Sequence, residues 1–251
     1  MIDFKGQVAL ITGGSRGIGA EAAKLFARQG ADIVISYHSS RKGAEEIKTA
    51  IDKLGRRCLV VRAELGRRND CENLVSAAIG EFGRLDILVN NAGIWTEAAI
   101  EEMSDEVLDA TIDINIKGCF HMTSAAVPHM KRQKSGNIIF VSSTAGQRGE
   151  AGHSHYAASK GALISLTKSL ASELAAFGIR VNCVAPGWVD TDMSHDALQS
   201  PDGPRYLSLI PLGRAAEPHE LAGPIVFLAS EWASFITGEI LNVNGGAVLV
   251  G

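Results

Sequence analysis

The sequence predicts a three-layer α/β sandwich, in which a parallel sheet of seven strands has helices on both faces. Seven short runs rich in β-branched residues alternate with stretches of helical length, and this is the order of βαβ units with parallel strands. Several of these runs are apolar throughout, as expected for strands that are covered on both sides. The predicted strands are residues 8–12, 32–37, 58–62, 87–90, 137–142, 180–185 and 239–243.

Length and composition favour one domain. The chain has 251 residues, of which 46% are hydrophobic, and it contains no linker or repeat, so we expect a single domain over residues 1–251. The net charge of −4 and the lack of a basic run argue against nucleic acid and membrane as partners. We find no signal peptide, no apolar stretch of roughly 20 residues and no cysteine or histidine metal pattern. These features predict a cytoplasmic protein without a metal.

The first strand leads into a glycine-rich turn. Gly13 allows a tight turn, Gly17 lets a phosphate approach the backbone, and Gly19 lets the following helix pack closely. Apolar residues at i, i+4, i+7 and i+8 from Ile18 predict that helix, and Gly30 ends it. Amide groups at the start of a helix bind anions, so the turn predicts a dinucleotide site. Its candidate cofactor residues are Gly13, Ser15, Arg16, Gly17, Ile18 and Gly19.

The end of the second strand bears on which dinucleotide binds. A carboxylate there would accept hydrogen bonds from the ribose 2′-hydroxyl and would repel a 2′-phosphate. This chain has Tyr37, His38 and Ser39 at that point, followed by Arg41, and no carboxylate. Arg16 in the glycine turn adds a second guanidinium, which suits phosphate because its fork donates two hydrogen bonds. The sequence therefore favours NADP(H), with NAD(H) as the alternative.

A serine, a tyrosine and a lysine form the candidate catalytic set. Tyr156 and Lys160 are spaced i, i+4 on a helix predicted over residues 156–177, so they share one helix face. A lysine ammonium beside a phenol lowers its pKa, which would let Tyr156 exchange a proton with a substrate oxygen. Ser143 follows the fifth strand, at the sheet edge where ligands bind in parallel sheets. Its hydroxyl would stabilise charge on the same oxygen.

Together these motifs resemble those of the short-chain dehydrogenase/reductase family. The spacing Gly13-x3-Gly17-x-Gly19, the turn Asn90-Asn91-Ala92-Gly93 and the segment Pro186-Gly187 all match the family's pattern. The 13-residue interval from Ser143 to Tyr156 does so too. The resemblance runs from Lys5 to Gly246 and implies a Rossmann-type fold and an NAD(P)-dependent oxidoreductase acting on a carbonyl or an alcohol.

The resemblance also implies roles for individual residues. Asn115 corresponds to a fourth catalytic position, an asparagine in a helix that holds a water leading to Lys160. Tyr37 stands where NAD-preferring members have aspartate, and Glu64 replaces the aspartate that contacts adenine. Lys160 would also hold the nicotinamide ribose, and residues after the sixth strand would hold its carboxamide. The cofactor residues that the resemblance implies are Glu64, Leu65, Asn91, Ala92, Gly93, Tyr156, Lys160, Pro186, Gly187, Val189 and Thr191.

The substrate and its setting stay open at this point. The subgroup most similar is that of 3-oxoacyl-[acyl-carrier-protein] reductases and related sugar or polyol dehydrogenases, so a 3-oxoacyl thioester is one candidate substrate. An NAD-dependent sugar or polyol dehydrogenase, a catalytically silent dinucleotide-binding protein and a methyltransferase are the alternatives. Lys134 and Phe177 stand at two places where carrier-protein reductases are basic, so acyl carrier protein is an open partner.

Two further expectations concern a loop and the assembly. The segment from Pro186 to about Arg214 has no clear periodicity, and we expect a substrate loop over residues 188–214. His153 and His155 flank Tyr156 and are expected to be packed residues, with substrate contact as the alternative. The resemblance implies a homotetramer, in which helices near residues 104–133 and 156–177 would pair between subunits. The faces proposed for this pairing include Leu163, Leu166, Leu170 and Leu174.

Overall fold

The computed structural model describes residues 2–250, which is the predicted domain less its two terminal residues. One sheet of seven parallel strands has the order β3-β2-β1-β4-β5-β6-β7, which confirms the predicted fold class. Each predicted strand coincides with an observed one to within one residue at either end. The strands are β1 (Val8–Ile11), β2 (Asp32–Tyr37), β3 (Cys58–Arg62), β4 (Ile87–Asn90), β5 (Gly136–Val141), β6 (Ile179–Pro186) and β7 (Ile240–Val243).

Helices cover both faces of the sheet because alternate strand residues face opposite layers. Ile33 and Ile35 of β2 pack into one core with Phe26, whereas Val34 packs into the other with Leu74. The helices are α1 (Gly17–Arg28), α2 (Arg41–Asp52), α3 (Arg68–Phe82), α4 (Asp105–Thr111), α5 (Gly118–Gln133), α6 (Ala145–Arg148), α7 (Ser154–Leu174), α8 (His195–Gln199), α9 (Gly203–Ser208) and α10 (Pro218–Ala229). Helices α1, α2 and α10 contribute to the first core, and α3, α5 and α7 to the second.

A charged cluster fixes the start of β2 against the chain entering β3. The carboxylate of Asp32 is buried and accepts hydrogen bonds from Arg56 Nη2 at 2.6 Å and from Arg57 Nη2 at 2.7 Å. The backbone amide of Arg57 donates to the same carboxylate at 3.2 Å. Burial alone would raise the pKa of Asp32, but the hydrogen bonds and charges of the two arginines lower it below its ordinary value. The cluster therefore stabilises the folded chain as long as Asp32 is ionised.

The loop and helix expectations need two corrections. The segment over residues 188–214 contains the short helices α8 and α9, which were too brief to show a helical period in the sequence. The leucines expected on subunit faces are mostly turned inward: Leu163 and Leu174 are buried in this chain's own second core, and Leu170 is packed against it. Leu166 lies in the same core. These leucines face inward because α7 lies along the sheet, so they are not a surface for another subunit.

Candidate active site

A deep cleft opens where the carboxyl ends of the strands meet. It encloses about 770 Å³, within the range of small-molecule sites. The sheet order reverses between β1 and β4, and in open α/β sheets ligands bind at this point. The lining includes every predicted site residue except Gly19, Arg41 and Asn115. The structure thus brings the candidate cofactor residues and the candidate catalytic residues to one cavity.

The glycine turn has the backbone that the sequence predicted. Gly13 and Gly17 have φ values of +65° and +55°, which favour glycine. Gly19 lies outside the cleft lining and serves packing: a Cβ on it would lie 2.5 Å from the carbonyl oxygen of Gly13. Gly14 is equally constrained, since its Cβ would lie 2.5 Å from Ile35 Cγ2. The amides of the first turn of α1 lie at this end of the helix, where they are available to an anion.

Asn91 and Ala92 join the end of β4 to the end of β1. The side-chain amide of Asn91 donates to the carbonyl oxygens of Thr12 at 2.9 Å and of Gly13 at 3.2 Å. The backbone amides of Asn91 and Ala92 donate to Thr12 Oγ1 at 3.0 and 3.1 Å. Thr12 is therefore a support of the cleft that the sequence did not single out. Its hydroxyl holds the glycine turn in register with the strand beside it.

The end of β2 has hydroxyls and no carboxylate, as the sequence indicated. Tyr37, His38 and Ser39 line the cleft, together with Ser40. Arg41 lies outside the lining, on the exposed first turn of α2, with its Nε 4.0 Å from Glu45. The positive charges in this part of the cleft lining come from Arg16 and Arg67.

Two guanidinium groups line this part of the cleft. Arg16 reaches across the mouth to Asp192, at 3.0 Å between Nη1 and Oδ2, and both side chains are exposed. Arg67, which sequence reasoning missed, pairs with Glu64 at 3.1 Å. Leu65 lies next to Glu64 in the same wall. This part of the cleft therefore contains two guanidinium groups, each paired with a carboxylate, that could meet a phosphate group.

Lys160 belongs to the cleft lining, and Asn115 lies just outside that lining. Lys160 is buried, and its Nζ donates to the carbonyl oxygen of Val141 at 2.9 Å. Asn115 lies in a π-helical turn, Ile112–Lys117, between α4 and α5. Its Oδ1 accepts from the amide of Ile94 at 2.9 Å, and its Nδ2 donates to Ile94 O at 3.0 Å and to Ser159 Oγ at 3.1 Å. Asn115 thus joins the segment after β4 to α7.

Gly93 makes room for this arrangement. A Cβ on Gly93 would lie 3.1 Å from Asn115 Oδ1 and 3.2 Å from Lys160 Nζ, closer than nearly all real Cβ contacts. Ser142 also supports α7, because its hydroxyl donates to the carbonyl oxygen of Lys160 at 2.7 Å. Ser142 therefore holds the helix, whereas Ser143 faces Tyr156.

The protonation state of Tyr156 differs from the sequence expectation. Burial and the carboxylate of Glu150 raise the pKa of Tyr156 and the Ser143 hydroxyl lowers it in part, which leaves it at about 12. Lys160 does not lower it here, because its Nζ is bonded to Val141 and lies 5.7 Å from the centroid of the tyrosine ring. Burial also lowers the pKa of Lys160. The surroundings of Tyr156 within this chain therefore favour the neutral phenol.

The segment after β6 closes the cleft on the side facing the glycine turn. Pro186 and Gly187 approach the backbone of Asn244, 3.0 Å from a Cβ placed on Gly187. Val189 is buried, pairs with Ala216 in a short bridge, and accepts a hydrogen bond from the Ser194 hydroxyl. Thr191 donates its backbone amide to the same hydroxyl at 3.2 Å. These bonds fix the backbone of the predicted carboxamide-binding residues.

An aromatic cluster at the cleft includes Trp188 of this segment and was missed by sequence reasoning. It consists of Trp95, His153, Trp188 and Tyr206, which we call the aromatic wall. Trp95 Nε1 donates to Glu150 Oε2 at 3.4 Å. The four rings come from four irregular or short segments, so no periodicity could reveal them. His155 is bonded elsewhere, to Thr96 Oγ1 at 3.0 Å, and burial lowers its pKa.

Within residues 2–250, no group of three or more histidine, cysteine, aspartate or glutamate side chains could hold a metal ion. No helix in this part of the chain is long and apolar enough to cross a bilayer. The lining of the cleft combines the glycine turn with a tyrosine, a lysine and a serine. A fold and a site of this kind define a dinucleotide-dependent oxidoreductase.

Comparisons with known proteins place the chain in a family. The family model described as enoyl-(acyl carrier protein) reductase matches residues 13–248. A 3-oxoacyl-[acyl-carrier-protein] reductase of Synechocystis sp. is 40% identical over 99% of this chain and 100% of its own. The protein therefore belongs to the short-chain dehydrogenase/reductase family, and it is an NAD(P)-dependent oxidoreductase acting on CH–OH or carbonyl groups.

Solved structures resemble the chain over nearly its whole length. A short-chain dehydrogenase from Burkholderia cenocepacia, in complex with NADP, has a TM-score of 0.92 and 35% identity, covering 97% of this chain and 98% of its own. A blue fluorescent protein from a metagenomic library, in complex with NADPH, has a TM-score of 0.92 and 34% identity, covering 98% and 100%.

Proposed function

We propose that the protein is an NADP(H)-dependent reductase that transfers a hydride to a carbonyl carbon, with Ser143, Tyr156 and Lys160 as its catalytic residues and Asn115 as a fourth member of the set. The observation that carries the proposal is that Ser143, Tyr156 and Lys160 line the same cleft as the glycine turn. A binding protein without catalysis would have no need of this set. A methyltransferase would need neither the tyrosine–lysine pair nor the segment beginning at Pro186.

NADP(H) fits the residues present. The glycine turn lines the cleft with Gly13 and Gly17, which have no side chain to cover the backbone amides from a pyrophosphate. The end of β2 offers hydroxyls where a carboxylate would repel a 2′-phosphate, and Arg16 lies within the same wall. Two structural relatives were solved with NADP or NADPH. When bound, the reduced nicotinamide supplies the hydride.

Tyr156 supplies the proton in this mechanism. With its pKa raised to about 12, the phenol keeps its proton at neutral pH and can donate it to the carbonyl oxygen as negative charge develops there. Ser143 would hydrogen-bond the same oxygen and stabilise that charge. The buried ammonium of Lys160 would hold the cofactor ribose and restore the proton of Tyr156 after each turnover. Carbonyl reduction requires this protonated form of Tyr156, whereas alcohol oxidation requires the phenolate.

A 3-oxoacyl thioester is the first substrate to test, since relatives such as the Synechocystis protein are named as 3-oxoacyl reductases. An acidic carrier protein would need a basic docking face, and of the two positions where carrier-protein reductases are basic, this chain has a lysine at only one, Lys134. Phe177 lies beneath the ammonium of Lys131, 4.1 Å from its ring centroid, and Lys134 ends α5. We therefore propose a small thioester or ester as substrate, with an NAD-dependent sugar or polyol dehydrogenase as the second candidate.

We also propose a cytoplasmic homotetramer of single-domain subunits in which residues 188–214 shape the substrate pocket. Several large apolar side chains are exposed, among them Phe120 on α5, Phe235 and Leu249. Buried leucines of α7 are excluded from such contacts, so these exposed groups are the better candidates for subunit faces. Light scattering at micromolar concentration should give the mass of four chains, and a stable monomer would contradict the assembly.

Cofactor choice is tested by kinetics with NADPH and NADH. We expect a higher kcat/KM with NADPH, and we expect Tyr37→Asp to shift the ratio toward NADH by roughly tenfold or more, because the new carboxylate repels a 2′-phosphate. Tyr37→Phe is the matched control, since it changes the hydroxyl without adding charge. Wild-type enzyme that prefers NADH would contradict the cofactor assignment.

The chemistry is tested by removing one group at a time. Tyr156→Phe keeps the ring and deletes the proton donor, so kcat for carbonyl reduction should fall by roughly 10²–10⁴-fold while NADPH affinity changes little. Ser143→Ala should lower kcat without releasing the cofactor. Lys160→Met should lower kcat and weaken NADPH binding, measured by the fluorescence of the bound cofactor. Near-normal turnover by Tyr156→Phe would overturn the mechanism.

A further inference from the structure

The aromatic wall is a continuous set of rings along one side of the cleft. Trp95 and His153 stack with centroids 4.4 Å apart and planes 2° from parallel. Trp95 meets Trp188 edge to face at 5.9 Å, and Trp188 stacks on Tyr206 at 4.8 Å with planes 16° apart. Trp95 and Trp188 both line the cleft that contains Tyr156. Two of the four rings therefore belong to the lining of the cavity that contains the reactive hydroxyl.

The rings are fixed in place before any ligand arrives. His153 is buried, and its Nδ1 lies 3.1 Å from the carbonyl oxygen of Ala151. Trp95 follows Ile94, whose amide and carbonyl are both bonded to Asn115, and its own indole N–H donates to Glu150. Rings held in this way lose little conformational entropy when a ligand packs against them. Such a surface gains most from a ligand that is itself flat and rigid.

A negative charge stands beside the wall. The carboxylate of Glu150 accepts from Trp95 Nε1 and is close enough to Tyr156 to raise the pKa of its hydroxyl. It would repel an anionic group placed next to the reacting carbonyl. Arg148, the other charged lining residue nearby, is exposed. The wall and Glu150 together therefore favour an uncharged ring close to the reacting carbon.

From this geometry we infer that the preferred substrates are uncharged carbonyl compounds with a flat aromatic or conjugated ring on the reacting carbonyl, bound against Trp95 and Trp188. This inference rests on the proposed reductase function and narrows its substrate class. Stacked or edge-to-face aromatic contacts are favourable beyond the area that they bury, whereas a flexible acyl chain must also lose rotational freedom on such a wall. A saturated ring of similar size would bury a similar apolar area but would make no aromatic contacts with the tryptophans.

Three esters that differ only in the group on the 3-oxo carbon test the preference: ethyl benzoylacetate, its cyclohexyl analogue and ethyl 3-oxohexanoate. With NADPH and the wild-type protein, we expect the phenyl compound to have the highest kcat/KM, by roughly tenfold over either of the others. Equal or lower values for the phenyl compound would overturn the inference while leaving a working reductase. Absence of NADPH oxidation with all three, and with acetoacetyl thioesters, would instead contradict the proposed function.

Variants locate the preference on the wall. Trp95→Leu and Trp188→Leu should each abolish most of the phenyl preference, seen mainly in KM, while the fluorescence of bound NADPH shows that each variant is folded. Trp232→Leu is the matched control, because Trp232 is exposed in the short helix Glu231–Ala233 and lies outside the cleft lining. Should a wall variant lose all activity, Trp188→Phe, which keeps a ring, must retain the preference. A phenyl preference that survives both leucine substitutions would place the ring elsewhere and refute the inference.

Discussion

At the scale of single residues, the pKa of Tyr156 is set by effects that raise it and one that lowers it. Burial and the charge of Glu150 disfavour the phenolate, and the hydroxyl of Ser143 favours it in part. The ammonium of Lys160 would favour the phenolate if it pointed at the ring oxygen, but it donates to Val141 instead. These effects favour the neutral phenol, which is the form that carbonyl reduction requires.

This balance predicts how the oxidation of an alcohol depends on pH. Because the pKa of Tyr156 is raised to about 12, only a small fraction is phenolate at pH 8, and the oxidation rate should rise roughly tenfold per pH unit between pH 7 and 9. Glu150→Gln removes a negative charge that opposes ionisation, so it should lower the pKa and raise the oxidation rate at pH 8. Carbonyl reduction should change little. The assay is kcat against pH with ethyl 3-hydroxyhexanoate and NADP⁺.

Glu102→Gln is the control for the loss of one carboxylate, since Glu102 is exposed and does not line the cleft. It should leave the profile unchanged. An oxidation rate that is flat from pH 7 to 9 in the wild type would mean that Tyr156 is already ionised, and the assignment of its proton would then be wrong.

The sequence predicted that Ser143, Tyr156 and Lys160 would lie close together, but it did not predict the pKa of Tyr156. The i, i+4 spacing placed Tyr156 and Lys160 on one helix face, and the end of β5 placed Ser143 opposite them. The pKa depends on burial and on Glu150, which lies in the irregular segment between α6 and α7 and has no motif to mark it. Trp95 and Trp188 escaped notice for the same reason.

At the scale of elements, charged residues fix the strands whose ends build the site. Asp32 begins β2, whose far end provides Tyr37, and it holds the chain entering β3 through Arg56 and Arg57. This cluster differs from the exposed ion pairs on the helices because the carboxylate of Asp32 is buried and is hydrogen-bonded by two arginines. The pair Lys48–Asp52 on α2, at 2.9 Å, is of the exposed kind and contributes little to stability.

Asp32→Asn should therefore destabilise the protein by about 1–3 kcal/mol at pH 7, because a partly buried charged network loses its anion. Asp52→Asn, the control, should cost about 0.5 kcal/mol or less. The sign with pH follows from the lowered pKa of Asp32: its contribution is present above the pKa of the unfolded chain and is lost as pH falls through the folded value. Urea unfolding at pH 7 and at pH 3.5 should show the difference between wild type and Asp32→Asn shrinking at the lower pH. A difference that grows in acid would contradict the role of the carboxylate.

At the scale of the whole molecule, the sheet was predictable and the cover of the cleft was not. The strands are buried on both faces, so their composition is constrained over their full length, and the predicted bounds agree with the observed ones to within one residue. Helices α8 and α9 have five and six residues and rest on contacts such as that of Tyr206 with Trp188. Tertiary contacts of this kind leave no local pattern. The inward packing of Leu163 and Leu174 could not be predicted either, because the apolar face of a helix looks the same in sequence whether it packs on its own sheet or on another subunit.

The two cores also contain all four cysteines, and this gives the folded chain a specific weakness to alkali. Burial raises the pKa of Cys58, Cys71 and Cys183 to about 12 and that of Cys119 to about 11, from an ordinary value of 9.0. Between those values the unfolded chain loses thiol protons that the folded chain retains. The free energy of unfolding should therefore be insensitive to the thiols below about pH 8 and should fall above pH 9, by about 1.4 kcal/mol per pH unit for each fully buried thiol.

Urea unfolding at pH 7, 8, 9 and 10 measures this slope, and Cys71→Ala should reduce it even though the variant is less stable at pH 7. A slope that is the same in wild type and Cys71→Ala would show that lysine and tyrosine ionisation, rather than the buried thiols, governs alkaline unfolding.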